Sequence, residues 1–95
     1  MTILITGVAG FIGYHTANKL LKKNYKIIGI DNLNSYYDKN LKINRLKNLN
    51  KNSNNKNFTF HKTDICNKKK LESLFKKYKI KKVLHFAAQA GIRFS

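Results

Sequence analysis

The feature that most constrains this chain is a run of glycines between an apolar strand-length segment and a helix-length segment. Residues Thr6-Gly7-Val8-Ala9-Gly10-Phe11-Ile12-Gly13 directly follow the apolar run Ile3-Leu4-Ile5. In such a turn the first glycine permits a sharp reversal, the middle one lets the backbone approach a pyrophosphate, and the last lets helix and strand pack closely. The free N–H groups of the helix then face the anion. The pattern predicts a phosphate-binding turn; the alternative is a tight strand-to-helix turn without a ligand.

Four short apolar runs predict four strands. They are Ile3-Leu4-Ile5, Ile27-Ile28-Gly29-Ile30, Phe58-Thr59-Phe60 and Val83-Leu84-His85-Phe86. The first two are continuous rather than alternating, which is typical of parallel strands covered on both faces. We interpret the lone His85 in the fourth run as a hydrogen-bonded core residue rather than a ligand or base.

Apolar stripes at helical spacing separate the four runs. The stripes are Gly13, Ala17, Leu20 and Leu21; Leu41, Leu46 and Leu49; and Leu71, Leu74, Phe75 and Tyr78, the last preceded by Asn67 as a predicted N-cap. Alternating strands and helices with right-handed crossovers predict an α/β fold. The prediction is the N-terminal half of a doubly wound parallel (Rossmann) sheet, β-α-β-α-β-α-β, with strand order 3-2-1-4.

A carboxylate at the end of the second predicted strand supports nucleotide binding. Asp31 lies eighteen residues after Gly13, where a carboxylate can accept both hydroxyls of an adenosine ribose. Because this carboxylate would repel a 2′-phosphate, NAD is favoured over NADP as the cofactor. The alternative for Asp31 is an Asx turn with Asn32 and Leu33.

The chain is strongly basic, with 20 Lys and Arg against 4 acidic residues and a formal net charge of +16. Clustered cations suggest a polyanion partner, but only two of the basic residues are Arg, the side chain suited to bidentate phosphate or guanine contacts. We interpret the lysines as solvent-exposed surface charge and do not expect a nucleic-acid partner; a basic nucleic-acid surface and a membrane-surface role are the alternatives.

The single cysteine, Cys66, excludes an intramolecular disulfide framework and favours a reducing compartment. The sequence begins without the basic and apolar regions of a secretory signal, and its apolar runs are far shorter than the roughly 18 residues needed to span a bilayer. We therefore expect a cytoplasmic protein without a membrane partner.

With a Gly-x-x-Gly-x-x-Gly spacing, the chain resembles the extended short-chain dehydrogenases/reductases, specifically the NAD-dependent sugar-nucleotide epimerases and dehydratases. The residues that carry the resemblance are Thr6 to Gly13, Asp31-Asn32-Leu33-Asn34, Thr63-Asp64-Ile65 and His85-Phe86-Ala87-Ala88-Gln89-Ala90. Within this family, the segments from Asp31 to Asp38 and from Ala87 to Ser95 are most similar to UDP-glucuronate 4-epimerases.

The resemblance implies a set of site residues. It assigns Gly7, Gly10, Phe11, Ile12 and Gly13 to the pyrophosphate of NAD, and Asp31, Asn32 and Asn34 to the adenosine ribose. It assigns Asp64 and Ile65 to the adenine, and Ala87, Ala88 and Gln89 to the ribose on the nicotinamide side. Arg93 is a candidate for an anionic group of the substrate, with a solvated loop arginine as the alternative.

The family's reaction also needs a Tyr-x-x-x-Lys pair on a later helix. The chain contains Tyr78 and Lys82 at this spacing, but they precede the Ala87-Ala88 segment and straddle a predicted helix end and strand start, so we reject them. We name no catalytic or metal-binding residue. Because the sequence ends nine residues after Phe86, before a helix that could cover the sheet there, we expect residues 1–95 to be the N-terminal part of an NAD-binding domain whose catalytic and substrate-binding parts lie outside this chain.

The implied parent protein is an NAD-dependent sugar-nucleotide epimerase, an isomerase that acts on a UDP-glucuronate-like nucleotide sugar by transient oxidation at C4. This chain alone would be inactive. A dehydratase or reductase of the same family and a catalytically inactive basic module that binds nucleic acid are the alternative functions. A homodimer of the full-length protein is left open.

Overall fold

The computed structural model describes residues 1–33, 39–52 and 57–86. Strands and helices alternate strictly along these residues. They are β1 (Thr2–Thr6), α1 (Phe11–Lys22), β2 (Lys26–Asp31), α2 (Lys39–Asn52), β3 (Phe58–Lys62), α3 (Lys68–Lys77) and β4 (Ile80–His85). The predicted element order is confirmed.

The four strands form one parallel sheet in the order β3-β2-β1-β4. β1 and β2 pair with Thr6 opposite Ile30, and β2 and β3 pair with Asp31 opposite Lys62. The carboxyl ends of the strands therefore lie along one edge of the sheet, where parallel α/β folds bind ligands. The predicted strand order and fold class are confirmed.

Helices cover both faces of the sheet, as the continuous apolar strands predict. On one face, α1 and α2 pack against side chains that include Ile3, Ile5 and Ile27. On the other face, Leu74 of α3 packs against Leu4, Ile28 and Ile30. Successive residues of β1 and β2 thus point into different cores, which explains why these strands carry apolar residues without alternation.

Only some residues of the predicted apolar helix stripes are buried. Leu46 and Leu49 of α2 and Leu74 of α3 are buried, whereas Leu41 is 43% exposed and Phe75 45% exposed. The reason is that helical spacing places side chains on one side of a helix but does not say how far the sheet extends beneath it. The predicted N-cap is confirmed, because Asn67 Oδ1 accepts a hydrogen bond from the Lys70 N–H at 3.1 Å.

Apolar side chains remain exposed beside β4, the edge strand next to β1. Val83 is 45% exposed and Phe86 39% exposed, so apolar surface is accessible along this strand in the described structure. His85 is also exposed, which corrects its interpretation as a core residue; its Nδ1 nevertheless lies 2.7 Å from Thr6 Oγ1. None of the helices in the three described ranges is long and apolar enough to cross a membrane.

Candidate nucleotide-binding site

The glycine-rich turn leaves β1 at the carboxyl edge of the sheet and leads into α1. Gly7 has a φ of 69°, a left-handed conformation that glycine adopts without a steric penalty. The N–H groups of Gly7 and Val8 both donate to the carbonyl of Ile30 in β2, at 2.9 and 3.2 Å, and Gly10 N–H donates to the Gly7 carbonyl at 3.0 Å. These bonds make the turn compact and anchor it to the neighbouring strand.

The last glycine of the motif is required by close backbone contact. A Cβ atom at Gly13 would lie 2.2 Å from the carbonyl oxygen of Gly7, far inside van der Waals contact. A Cβ at Gly10 would lie 3.3 Å from the same oxygen, which is tight but close to an ordinary contact. The two glycines therefore serve different purposes: Gly13 permits helix and turn to pack, and Gly10 keeps the turn free of a side chain.

An open cleft of about 270 Å³ adjoins the turn and is lined by Gly7, Gly10, Phe11, Ile12, Gly13 and Phe86. Five of these residues are the ones predicted to bind the pyrophosphate, and the sixth, Phe86, directly follows β4. Phe11 and Ile12 are 65% and 61% exposed at the start of α1. The first N–H groups of an α-helix lack intrahelical acceptors, so the cleft lies where this helix can bind an anion.

Asp31, the predicted ribose ligand, is 6% exposed and binds other parts of the chain with both oxygens. Its Oδ2 accepts from the Ala9 N–H at 3.1 Å, and its Oδ1 accepts from the Leu33 N–H at 2.8 Å. Lys42 Nζ lies 3.5 Å from Oδ1. The Asx turn considered as the alternative is therefore present, while the other oxygen holds the glycine-rich turn.

The ends of β2 and β3 are also connected by polar contacts. The N–H of Cys66 donates to Asp64 Oδ1 at 3.0 Å, and the Asn32 side chain makes a smaller contribution that also lowers the pKa of Asp64. The Cys66 N–H is the main cause that holds the pKa of Asp64 below its ordinary value. Ile65, the second predicted adenine residue, is half-buried against the α3-side core. The structure thus brings Asp31, Asn32 and Asp64 to one edge of the sheet.

Two cations from α2 reach this region, and sequence reasoning missed both. Lys42 pairs with Asp31, and Arg45 Nη1 donates to the Ala9 carbonyl at 3.0 Å. Their spacing of three residues places them on one helix face, but basic residues are so frequent in this chain that the pattern gave no usable signal. Arg45 also lies over the ring of Phe11, with Cζ 5.9 Å from the ring centroid.

Gly29 of β2 is a further residue that the sequence analysis did not single out. A Cβ there would lie 2.8 Å from Cγ1 of Val8, a fully buried side chain of the glycine-rich turn. The missing side chain in the strand therefore leaves the space in which the turn packs. An isolated glycine inside an apolar strand is a recognised sign of such a close approach.

Several predicted residues lie outside the described ranges: Asn34, Ala87, Ala88, Gln89 and Arg93. The rejected Tyr78–Lys82 spacing lies within them. Tyr78 packs against the α3-side core, with its hydroxyl 3.1 Å from His61 Nε2, and Lys82 is an exposed residue of β4. These contacts agree with our interpretation of Tyr78 as part of the apolar stripe of α3.

A parallel 3-2-1-4 sheet with a glycine-rich turn after β1 and a carboxylate at the end of β2 defines a Rossmann-like dinucleotide-binding fold. The family model of GDP-mannose 4,6 dehydratase matches residues 4–95, and the chain belongs to this family.

Individual relatives agree with this classification. The chain is 47% identical over 92 residues to the UDP-glucuronate 4-epimerase of Thermodesulfobacterium geofontis, covering 97% of this chain and 28% of the relative. It is 46% identical over 95 residues to protein CapI of Staphylococcus aureus, covering 100% of this chain and 27% of the relative. The chain thus spans little more than a quarter of the length of these relatives.

Solved structures give the same result. A UDP-glucuronic acid 4-epimerase variant from Bacillus cereus, in complex with UDP-4-deoxy-4-fluoro-glucuronic acid and NAD, superposes with a TM-score of 0.81. It is 39% identical, and the match covers 98% of this chain and 28% of that one. The UDP-glucose 4-epimerase of Bifidobacterium longum, in complex with NAD⁺ and UDP, has a TM-score of 0.77 at 31% identity over 94% of this chain and 25% of that one.

Proposed function

We propose that this chain is the NAD-binding portion of a nucleotide-sugar 4-epimerase. The observation that carries the proposal is the turn from Gly7 to Gly13. Its left-handed first glycine and its tight packing on α1 make a compact backbone turn, and its three glycines line an open cleft at the start of that helix. Relatives solved with NAD support the choice of cofactor. The short share of the relatives' length that the chain spans supports its assignment as one portion of a larger enzyme.

In this proposal the chain's own residues bind and orient the cofactor, and NAD supplies a reversible hydride acceptor. The N–H groups of Phe11 and Ile12, at the positive end of α1, hold the pyrophosphate beside Gly7, Gly10 and Gly13. Asp31, Asn32 and Asn34 hold the adenosine ribose, and Asp64 and Ile65 contact the adenine. Ala87, Ala88 and Gln89 border the second ribose.

Asp31 has one acceptor position left for this role, although its side chain is buried and the chain occupies its other acceptor positions. A carboxylate has about four acceptor positions, and Asp31 receives Ala9 N–H, Leu33 N–H and Lys42. A ribose hydroxyl uses the remaining position, and a second one displaces Lys42, whose contact of 3.5 Å is the longest of the three. The carboxylate also disfavours a 2′-phosphate, which supports NAD over NADP.

Titration calorimetry on the intact protein that carries this chain tests the cofactor proposal. We expect NAD to bind more tightly than NADP. Asp31→Asn removes the negative charge, and we expect it to weaken NAD by about tenfold and to reduce the preference over NADP. Absence of NAD binding, or an unchanged preference in the variant, contradicts the proposed site.

The proposed substrate is a UDP-glucuronate-like nucleotide sugar, with Arg93 as a candidate contact for its anionic groups. The similarity to UDP-glucuronate 4-epimerases supports it. Incubating the intact protein with UDP-glucuronate or UDP-glucose and following the sugar by NMR tests the substrate. We expect a C4 epimer of UDP-glucuronate; a 4-keto-6-deoxy product formed from UDP-glucose, by loss of its C6 hydroxyl as water, instead favours a dehydratase of the same family.

The proposal extends to a cytoplasmic location, which the exposed single thiol of Cys66 supports, and to an NAD-binding domain that begins in residues 1–95. A homodimer of the intact enzyme is a further expectation. A nucleic-acid-binding module is the competing function, and salt separates the two. Nucleic-acid affinity should fall steeply between low and physiological salt, whereas NAD affinity should change much less.

A further inference from the structure

The peptide groups around Ala9 are held from two directions by residues distant in sequence. Asp31 of β2 accepts the Ala9 N–H at 3.1 Å, and Arg45 of α2 donates to the Ala9 carbonyl at 3.0 Å. Ala9 is fully buried in the described structure, so neither contact is readily replaced by water. The turn is thereby fixed to both β2 and α2.

Arg45 contacts both neighbours of Gly10. Its Nη1 binds the Ala9 carbonyl, and its guanidinium lies 5.9 Å from the ring centroid of Phe11, within the range of a cation–π interaction. Gly10 itself has a φ of −73° and a ψ of 170° and donates to the Gly7 carbonyl. Arg45 and the Gly7 carbonyl therefore hold the two ends of one peptide plane, Ala9–Gly10. The next plane, Gly10–Phe11, is held by the Tyr14 N–H, which donates to the Gly10 carbonyl at 2.8 Å.

We propose that Arg45 is a positioning residue that fixes the turn around Gly10 in the conformation that receives a pyrophosphate. The inference rests on the proposed dinucleotide-binding function and adds a residue of α2 to it. The N–H groups of Phe11 and Ile12 lie immediately after this turn, so their direction depends on the peptide plane that Arg45 holds. Arg45 itself acts through Ala9 and Phe11 and needs no contact with the ligand.

A positioning role and a direct charge effect differ in what they predict. If Arg45 positions the turn, loss of its planar donor weakens the binding of ligands that contain a pyrophosphate. The binding of adenosine, which needs only the Asp31 side of the site, stays almost unaffected. Lysine keeps the charge but lacks the planar guanidinium that bridges Ala9 and Phe11. A direct charge effect would instead be preserved in Arg45→Lys and would diminish with added salt.

The experiment measures the affinities of NAD, ADP and adenosine for the intact protein and for the variants Arg45→Met, Arg45→Lys and Lys47→Met. Lys47 is an exposed residue of the same helix, so its replacement removes the same charge without touching the turn. We expect Arg45→Met to weaken NAD and ADP by about tenfold, the scale of one hydrogen bond to a charged donor, and adenosine by less than about twofold. Arg45→Lys should recover only part of the loss, and Lys47→Met should match the unaltered protein.

Unchanged NAD and ADP affinities in Arg45→Met overturn the inference. Full recovery in Arg45→Lys, or an equal loss of adenosine, also overturns it, because the first indicates charge alone and the second a general loss of the fold. If the unaltered protein binds neither NAD nor ADP, the proposed function itself fails. The unaltered protein is therefore measured before any variant. Retained adenosine binding shows that Arg45→Met is folded.

Discussion

At the scale of single residues, the glycine-rich turn is defined by what its glycines exclude. In the turn itself, Gly13 avoids a clash between helix and turn, and Gly7 adopts a left-handed backbone conformation. In the neighbouring strand β2, Gly29 leaves space for Val8 of the turn. Asp31 has two roles in this account, because it accepts the Ala9 N–H of the turn and is also the proposed ligand of the ribose. Its replacement therefore alters the turn and the ribose contact together, whereas Arg45 affects the turn alone.

The two glycines that approach the Gly7 carbonyl should respond differently to alanine. In Gly13→Ala the new Cβ meets backbone at 2.2 Å, so we expect a loss of about 3 kcal/mol or more in the free energy of unfolding. Gly10→Ala, at 3.3 Å and with a φ of −73°, should cost less than about 1 kcal/mol while weakening NAD. Chemical denaturation of both variants checks this, and equal losses of stability would contradict the packing argument.

Gly29 and Val8 should be energetically coupled. Gly29→Ala places a Cβ 2.8 Å from Val8 Cγ1, and overpacking of this kind costs about 1–3 kcal/mol. Val8→Ala removes the opposing methyl groups, so the double variant should be more stable than the sum of the single effects predicts. A double-mutant cycle by urea denaturation measures the coupling, and strict additivity would show that the contact does not determine the packing.

At the scale of elements, helices α2 and α3 differ in how their sequences specify them. α2 contributes buried Leu46 and Leu49 to the core and two cations to the glycine-rich turn. α3 begins with three consecutive lysines, Lys68 to Lys70. Their positive charges are unfavourable next to the positive end of the helix dipole. Its N-cap, Asn67, and its apolar contact through Leu74 are therefore the features that favour this helix.

Removal of the α3 cap should be measurable. Asn67→Ala deletes the acceptor for the Lys70 N–H, and we expect a loss of about 1 kcal/mol in the free energy of unfolding. Asn44→Ala, an exposed position inside α2, provides the control and should be neutral or slightly stabilising. If the two substitutions change the thermal midpoint equally, the cap contributes nothing specific to α3.

The contact between β3 and the end of α3 should make stability depend on pH. Burial, followed by the charges of Lys70 and Lys77, lowers the pKa of His61 from its ordinary 6.5. The unfolded chain then binds more protons than the folded one, so the stabilising contribution is present above about pH 6.5 and is lost as pH falls toward the lowered pKa.

His61→Gln cannot titrate, and its amide can still bind the Tyr78 hydroxyl. We expect unfolding free energies measured between pH 7.5 and 5 to fall less in this variant than in the unaltered protein. His15→Gln, which removes an imidazole from an exposed position of α1, is the matched control. An identical slope in His61→Gln would exclude this histidine as a source of acid sensitivity.

At the scale of the whole molecule, the sequence predicts the sheet well and its long-range contacts poorly. Strand order, helix order and the purpose of Gly13 follow from local patterns, because apolar period and glycine spacing are written within a few neighbouring residues. The contacts of Arg45 with Ala9 and of Val8 with Gly29 join residues far apart in the chain. They depend on how α2 is rotated and how closely the turn packs, which local patterns do not specify.

The central claim is that the turn from Gly7 to Gly13 holds the pyrophosphate of NAD, and a crystal structure of the intact protein with NAD tests it most directly. We predict the pyrophosphate within hydrogen-bond distance of the Phe11 and Ile12 N–H groups, the ribose hydroxyls on Asp31, and Arg45 still bound to the Ala9 carbonyl. Electron density for NAD at another place, or a pyrophosphate held by lysines away from this turn, would contradict the account.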